Sequence, residues 1–158
     1  MKIAVGADHA GFELKQYLSG KISGLGHEVV DLGAFQYDSL DDYPDFAQRV
    51  GLSVSSRQVD RGVLICGSGV GACIAANKIL GVRAGICTDT YSGHQGVEHD
   101  DMNVLVLASR ITGIEVANEI LLSYLAAQFS GEDRHIRRLN KVLEIEKHSL
   151  GGQFPSIH

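Results

Sequence analysis

The chain has 158 residues, close to the roughly 150 typical of one domain, so a single domain is expected. Hydrophobic residues make up 44% and charged residues 21%, which excludes wholesale disorder and a fibrous repeat. With 14 basic against 19 acidic residues the net charge is −5, a poor balance for a nucleic-acid binder, whose footprint is basic. In chain order, Lys2–Gly6 reads as a first strand, and Leu14, Tyr17, Leu18, Ile22 and Leu25 follow at helical spacing. His27–Gly33 reads as a second strand. After a polar loop over Asp38–Tyr43, Pro44 suits the first turn of a helix that continues through Phe46, Ala47, Val50 and Val54. Gly62–Gly67 is a continuous apolar run, as in a strand covered on both faces. A small-residue helix is expected over Val70–Ile79, with further strands at Val82–Thr88 and Asn103–Leu107. A long helix carries Ile111, Ile114, Ala117, Ile120, Leu121, Tyr124 and Leu125, and a last one spans Arg134 to His148. Residues 149–158 read as a loose tail after a single domain of residues 1–148. Alternating strands and helices predict an α/β fold with a parallel sheet covered on both faces.

No stretch approaches the roughly 20 apolar residues of a membrane helix. The start MKIAVGADHAGFELK is too short in its apolar part for a secretory signal. A cytoplasmic protein with neither a membrane nor a nucleic-acid partner is the expectation. Cys66, Cys73 and Cys87 are odd in number and lack C-x-x-C spacing, so no disulfide framework or zinc knuckle is expected. Cys73 and Cys87 read as small buried hydrophobes.

Ligands of open α/β sheets bind beyond the carboxyl ends of the strands. Cys66-Gly67-Ser68-Gly69-Val70-Gly71 follows such a strand. It reads either as a plain strand-to-helix turn or as an anion cradle, in which glycines admit a ligand to unpaired N–H groups. The thiol at its head favours chemistry, since a helix N-terminus lowers a cysteine pKa and a thiolate is a competent base. Asp8 and His9 follow the first strand, either as a helix cap or as a group that orients an imidazole or binds phosphate. His94 and His99 are five apart, off one helical face, so a general-acid histidine fits better than a metal site. Arg134 and Arg138, four apart, share a face and make either a phosphate clamp or a solvated surface run.

These residues resemble the type B ribose-5-phosphate isomerases, in the family shared with the galactose-6-phosphate isomerase subunits. The matching residues are Gly6-x-Asp8-His9-x-Gly11-x-x-Leu14-Lys15, Asp42-Tyr43-Pro44, and Cys66 through Gly71 followed by Ala75-Ala76-Asn77-Lys78. Arg83-Ala84, His99 with Asn103-Val104-Leu105, Ser109-Arg110 and Arg134-His135-x-x-Arg138 complete the set, over residues 1–147. The resemblance implies a Rossmann-like three-layer α/β/α sandwich on a five-stranded parallel sheet. It also implies a homodimer or dimer of dimers with active sites shared across the interface, acting on a small phosphorylated sugar without metal or cofactor. In that scheme Cys66 is the base between C1 and C2 and His99 the ring-opening acid. Asp8 and Ser68 assist at sugar oxygens, and the backbone of Gly67, Ser68, Gly69, Val70 and Gly71 holds the enediolate. His9, Arg134 and Arg138 bind the phosphate; Tyr43, Asp100 and Arg110 line the pocket.

The sequence departs from its family in three places. Asp100 stands where an asparagine is usual, and an ionised carboxylate cannot donate to an enediolate. Gly131-Glu132-Asp133 replaces two glycines before Arg134, and the tail after His148 has no counterpart. Ala72 excludes the subgroup with a glutamate base, and the galactose-6-phosphate subunits lack the cysteine. The reading is therefore an isomerase of ribose 5-phosphate and ribulose 5-phosphate. The alternatives are the same chemistry on a tetrose or hexose phosphate, or a catalytically silent sugar-phosphate-binding protein.

Overall fold

The computed structural model describes residues 1–150. Its five strands are β1 (Lys2–Ala7), β2 (Glu28–Asp31), β3 (Arg61–Cys66), β4 (Ala84–Ile86) and β5 (Val104–Ala108). Its helices are α1 (Phe12–Gly24), α2 (Tyr43–Ser55), α3 (Val70–Ala76), α4 (Thr90–Asp100), α5 (Ile114–Ala126) and α6 (Asp133–Leu150). A single 3₁₀ turn, His9–Gly11, links β1 to α1. Every strand pair is parallel, in the order β2-β1-β3-β5-β4. The expected α/β sandwich on a five-stranded parallel sheet is what the chain adopts.

The layers follow from the two-residue period of the strands. Ile3, Val5, Val63, Ile65, Leu105 and Leu107 point to one face, where Leu14, Leu18 and Ile22 of α1 and Ile120, Leu121 and Tyr124 of α5 cover them. Ala4, Leu64, Cys66, Val104 and Val106 point to the other, against Ala47, Val50 and Val54 of α2 and Ala72 and Ala76 of α3. Each such aliphatic side chain gains about 1.5–3 kcal/mol by burial. Tyr124 reaches through its layer to donate its hydroxyl to the Gly62 carbonyl at 3.2 Å.

Four elements differ from the sequence reading. The run before β5 is the helix α4, not merely a polar segment; Gly93 and Gly96 and a lone buried Val97 give it no apolar stripe. Asp89 caps it, accepting from the Ser92 N–H at 2.8 Å. Helix α3 stops at Ala76, short of Ile79, because Asn77 turns its side chain to the edge strand: its Oδ1 accepts from Ala84 N–H and its Nδ2 donates to Ala84 O, both at 2.9 Å. Strand β4 is only three residues long, and α5 begins at Ile114. Helix α6 runs to Leu150, and the rest of the expected tail lies outside the described residues.

Beyond β1 the chain is tied down by Lys15, whose side chain is 1% exposed. Its ammonium donates to both Asp31 carboxylate oxygens at 2.6 and 2.7 Å and to the Ala34 carbonyl at 2.7 Å. Asp31 also accepts from the Gly33 N–H, and Ala34 N–H bonds the Ala7 carbonyl. The segment after β2 is thereby held against the end of β1. Losing one partner of a buried pair costs roughly 3–5 kcal/mol, less where, as at Asp31, the orphaned charge still reaches water. Lys15→Ala is expected to lower unfolding free energy by about 2 kcal/mol in urea titration. An unchanged midpoint would show that this tie holds nothing.

Candidate active site

The chain leaves β1 toward β2 on one side, and the next strand, β3, lies on the other. Loops after β1 and β3 therefore diverge and open a crevice between them. Asp8, Cys66 and the glycine turn stand at that crevice. Asp8 is 6% exposed. Its Oδ1 caps the 3₁₀ turn by accepting from Gly11 N–H at 3.1 Å, and its Oδ2 accepts from the Cys66 thiol at 3.0 Å. The cap reading of Asp8 is what the structure shows, and its second oxygen meets the Cys66 thiol rather than an imidazole.

The expectation of a lowered Cys66 pKa is overturned. Burial comes first, then the hydrogen bond to Asp8 and the charge of that carboxylate, and they push the thiol up from 9.0 to about 11. The amides of Gly67 and Gly69 pull the other way but do not win. A short helix start is a partial charge; a carboxylate at contact distance is a whole one.

Gly69 ends the turn at φ +77, a left-handed conformation that costs a glycine nothing. Gly71 has no room for a side chain: a Cβ there would lie 2.6 Å from the Tyr43 ring. That contact sets half-exposed Tyr43 beside the turn. Arg110 lies over the other end, its N–H bonded to the Gly67 carbonyl at 3.1 Å. Ser68 and Val70 are exposed at the tip. His9 is fixed by Asp41, whose Oδ1 accepts from the His9 backbone N–H at 3.0 Å and meets the ring Nδ1 at 2.7 Å. Asp8, His9, Tyr43, Cys66, the turn and Arg110 thus gather at the carboxyl ends of β1, β3 and β5.

His99, Asp100, Arg134 and Arg138 gather elsewhere. Cys66 pairs with Ala108 at the far end of β5, whereas Gly62 pairs with Val104 at its start. Helix α4 returns to that start, so His99 and Asp100, on its last turn, sit at the amino edge of the sheet. A five-residue strand separates the two edges by roughly 13 Å. Near His99 the His135 ring stacks at 4.0 Å, which brings the first turn of α6 there too. Asp100 is exposed. Exposed Arg134 is paired with Glu132 at 2.8 Å, so one of the two acidic residues before the arginine engages it directly. Among the described residues no three His, Cys, Asp or Glu side chains converge as a metal site would require.

A family model described as Ribose/Galactose Isomerase matches residues 3–142. The chain belongs to the ribose/galactose isomerase family. It is 43% identical over 146 residues to ribose-5-phosphate isomerase B of Escherichia coli (strain K12), covering 92% of this chain and 97% of that one. It is 37% identical over 134 residues to the D-erythrulose-4-phosphate isomerase of Pectobacterium atrosepticum, covering 83% and 86%. The solved structure of ribose-5-phosphate isomerase B from Mycoplasma genitalium with bound ribulose-5-phosphate superposes with a TM-score of 0.89 at 40% identity, over 92% and 96% of the two chains. The resemblance drawn from the motifs is borne out.

Within this family frame, three contributors escaped the sequence. Asp41 lies in a polar run with no spacing signal, and only the fold brings it to His9. Gln95 and Ser130 meet His99 and His135 through their side chains, at 2.8 and 2.6 Å. The Asp8–Cys66 contact generates a test. Removing the carboxylate charge lowers the Cys66 pKa toward its ordinary value and raises the thiolate fraction at pH 8. Asp8→Asn is expected to speed Cys66 alkylation by iodoacetamide at that pH by about tenfold, the effect of one pKa unit. A rate equal to or below that of the native protein would remove Asp8 as the cause.

Proposed function

We propose that the chain interconverts ribose 5-phosphate and ribulose 5-phosphate, in active sites each built from two copies of the chain. The observation that carries this is the Cys66 thiol held 3.0 Å from buried Asp8 under a turn of backbone amides. His99 of the partner subunit protonates the furanose ring oxygen as O1–H gives up its proton, opening the aldose. Cys66, as thiolate, takes the proton from C2. The electron pair forms the C1–C2 double bond and charge moves onto O1, where the N–H groups from Gly67 to Gly71 meet it. Cys66 returns its proton to C1, O2–H loses a proton, and O1 gains one. Asp8 and Ser68 act at the sugar oxygens, and Tyr43 and Arg110 line the pocket.

The phosphate lies between His9 and the Arg134 and Arg138 of the partner subunit, which supply charge-assisted bonds remote from the reacting carbons. A proton shuttle of this kind calls for no cofactor or metal. The sheet supports the reading of a shared site: one chain holds Cys66 and His99 at opposite edges, and a second copy, in a homodimer or a pair of dimers, would supply the missing half. The setting is the pentose phosphate pathway of the cytoplasm. A second reading, with a tetrose or hexose phosphate as substrate, is favoured by Asp100, an exposed carboxylate that accepts a sugar hydroxyl but cannot donate to an enediolate.

Cys66→Ala is expected to lower kcat for ribose 5-phosphate by about 100-fold or more with ligand binding kept, the usual worth of a general base. His99→Ala is inactive by the same logic. Unfolded and refolded together, the two inactive variants should recover about a quarter of native activity, because half the dimers are hybrids with one intact site of two. No recovery would put both residues in one chain's site. Asp100→Asn is expected to keep or raise kcat/KM for ribose 5-phosphate. Its loss there, with turnover of a four- or six-carbon phosphate by the native protein, would establish the second reading.

A further inference from the structure

His135 is 1% exposed at the start of α6, yet it is not stored there as a satisfied core residue. Its Nδ1 lies 2.6 Å from Ser130 Oγ. That hydroxyl also accepts from the Glu132 N–H at 3.3 Å. The ring's other nitrogen, Nε2, is buried without a partner among the described residues. An apolar ring would fill the same space without stranding a polar atom. What the imidazole touches is His99: the two rings stack at 4.0 Å with an interplanar angle of 27°. On its other side, His99 is held through Nδ1 by Gln95 at 2.8 Å, which leaves Nε2 as the nitrogen to meet a sugar.

We propose that His135 is a positioning residue, a plate whose tilt Ser130 sets and against which His99 is held in the plane that delivers its proton to the sugar ring oxygen. This rests on the reading of His99 as the ring-opening acid. The surroundings keep the plate neutral. Burial, then His99, Arg134 and Arg138, hold the His135 pKa below its ordinary value, and Glu132 opposes them. On α4, Glu98 lies 3.7 Å from the Nε2 atoms of both His99 and His94, and Asp133 stands in the first turn of α6. A neutral plate does not repel a protonated His99, whereas a charged one would.

The test separates ring opening from enolisation. Conversion of cyclic ribose 5-phosphate needs both steps. Exchange of the C1 hydrogen of ribulose 5-phosphate with solvent deuterium, followed by NMR, needs enolisation alone. His135→Ala is expected to lower conversion about tenfold or more at unchanged KM while exchange stays within about twofold. His135→Phe, which restores a flat neutral plate, is expected to recover most of the conversion. Equal loss of both rates in His135→Ala and in Ser130→Ala marks a merely structural residue and overturns the proposal, as does no loss in either. Ser130→Ala keeps the imidazole and carries the test if His135→Ala does not fold. His99→Ala is the control: without a split there, the reading of His99 as acid fails. A split in His99→Ala but not in His135→Ala overturns the positioning role alone.

Discussion

Parallel pairing of β1 with β3 decides where the chemistry sits. Two adjacent strands that run the same way end at the same edge, and their following loops part because one chain continues left to β2 and the other right. Asp8 and Cys66, 58 residues apart in sequence, are thereby set at contact. The same rule separates His99 from that edge. A crossover helix that leaves the carboxyl edge must return to the amino edge before the next parallel strand begins, so α4 carries His99 away from Cys66. The placement of Cys66 and His99 at opposite edges follows from the topology rather than from any choice of loop.

The cost of that placement falls on the thiol. Cys66 is held protonated by burial and by the neighbour that its strand end gives it, the opposite of what the proposed base needs. Arg110 stands over Gly67 in the same chain. The thiolate is the reactive form, so a thiol whose pKa is raised to about 11 resists oxidation.

How far the sequence can be read depends on whether the signal is periodic or three-dimensional. The strands β1, β3 and β5 were legible because each is an apolar run buried on both faces, and α2, α5 and α6 because their apolar residues recur at helical spacing. Helix α4 was not, because glycines at 93 and 96 do its packing against Ile120 and Met102 and leave no stripe to see. In the site, the motifs located Asp8, His9, Cys66 and the turn, but the sign of the Cys66 shift required knowing that Asp8 touches it. Asp41, Ser130 and Gln95 act through single side-chain atoms that only the fold brings to their partners, and nothing in their local sequence marks them.

The acidic residues before Arg134 show why a charge count misleads about affinity. Glu132 holds Arg134 at 2.8 Å, yet both side chains are more than half exposed. Exposed pairs of this kind are worth only about 0–1 kcal/mol, screened by water and salt. A phosphate dianion between two guanidinium groups, as proposed for Arg134 and Arg138, would make stronger, charge-assisted bonds and displace the carboxylate at little cost. The pair also preorganises Arg134 at the first turn of α6, where a lone guanidinium would oppose the helix dipole. The net charge of −5 therefore does not argue against the proposed clamp, because an exposed Glu132–Arg134 pair is too weak to keep the guanidinium from a more highly charged ligand.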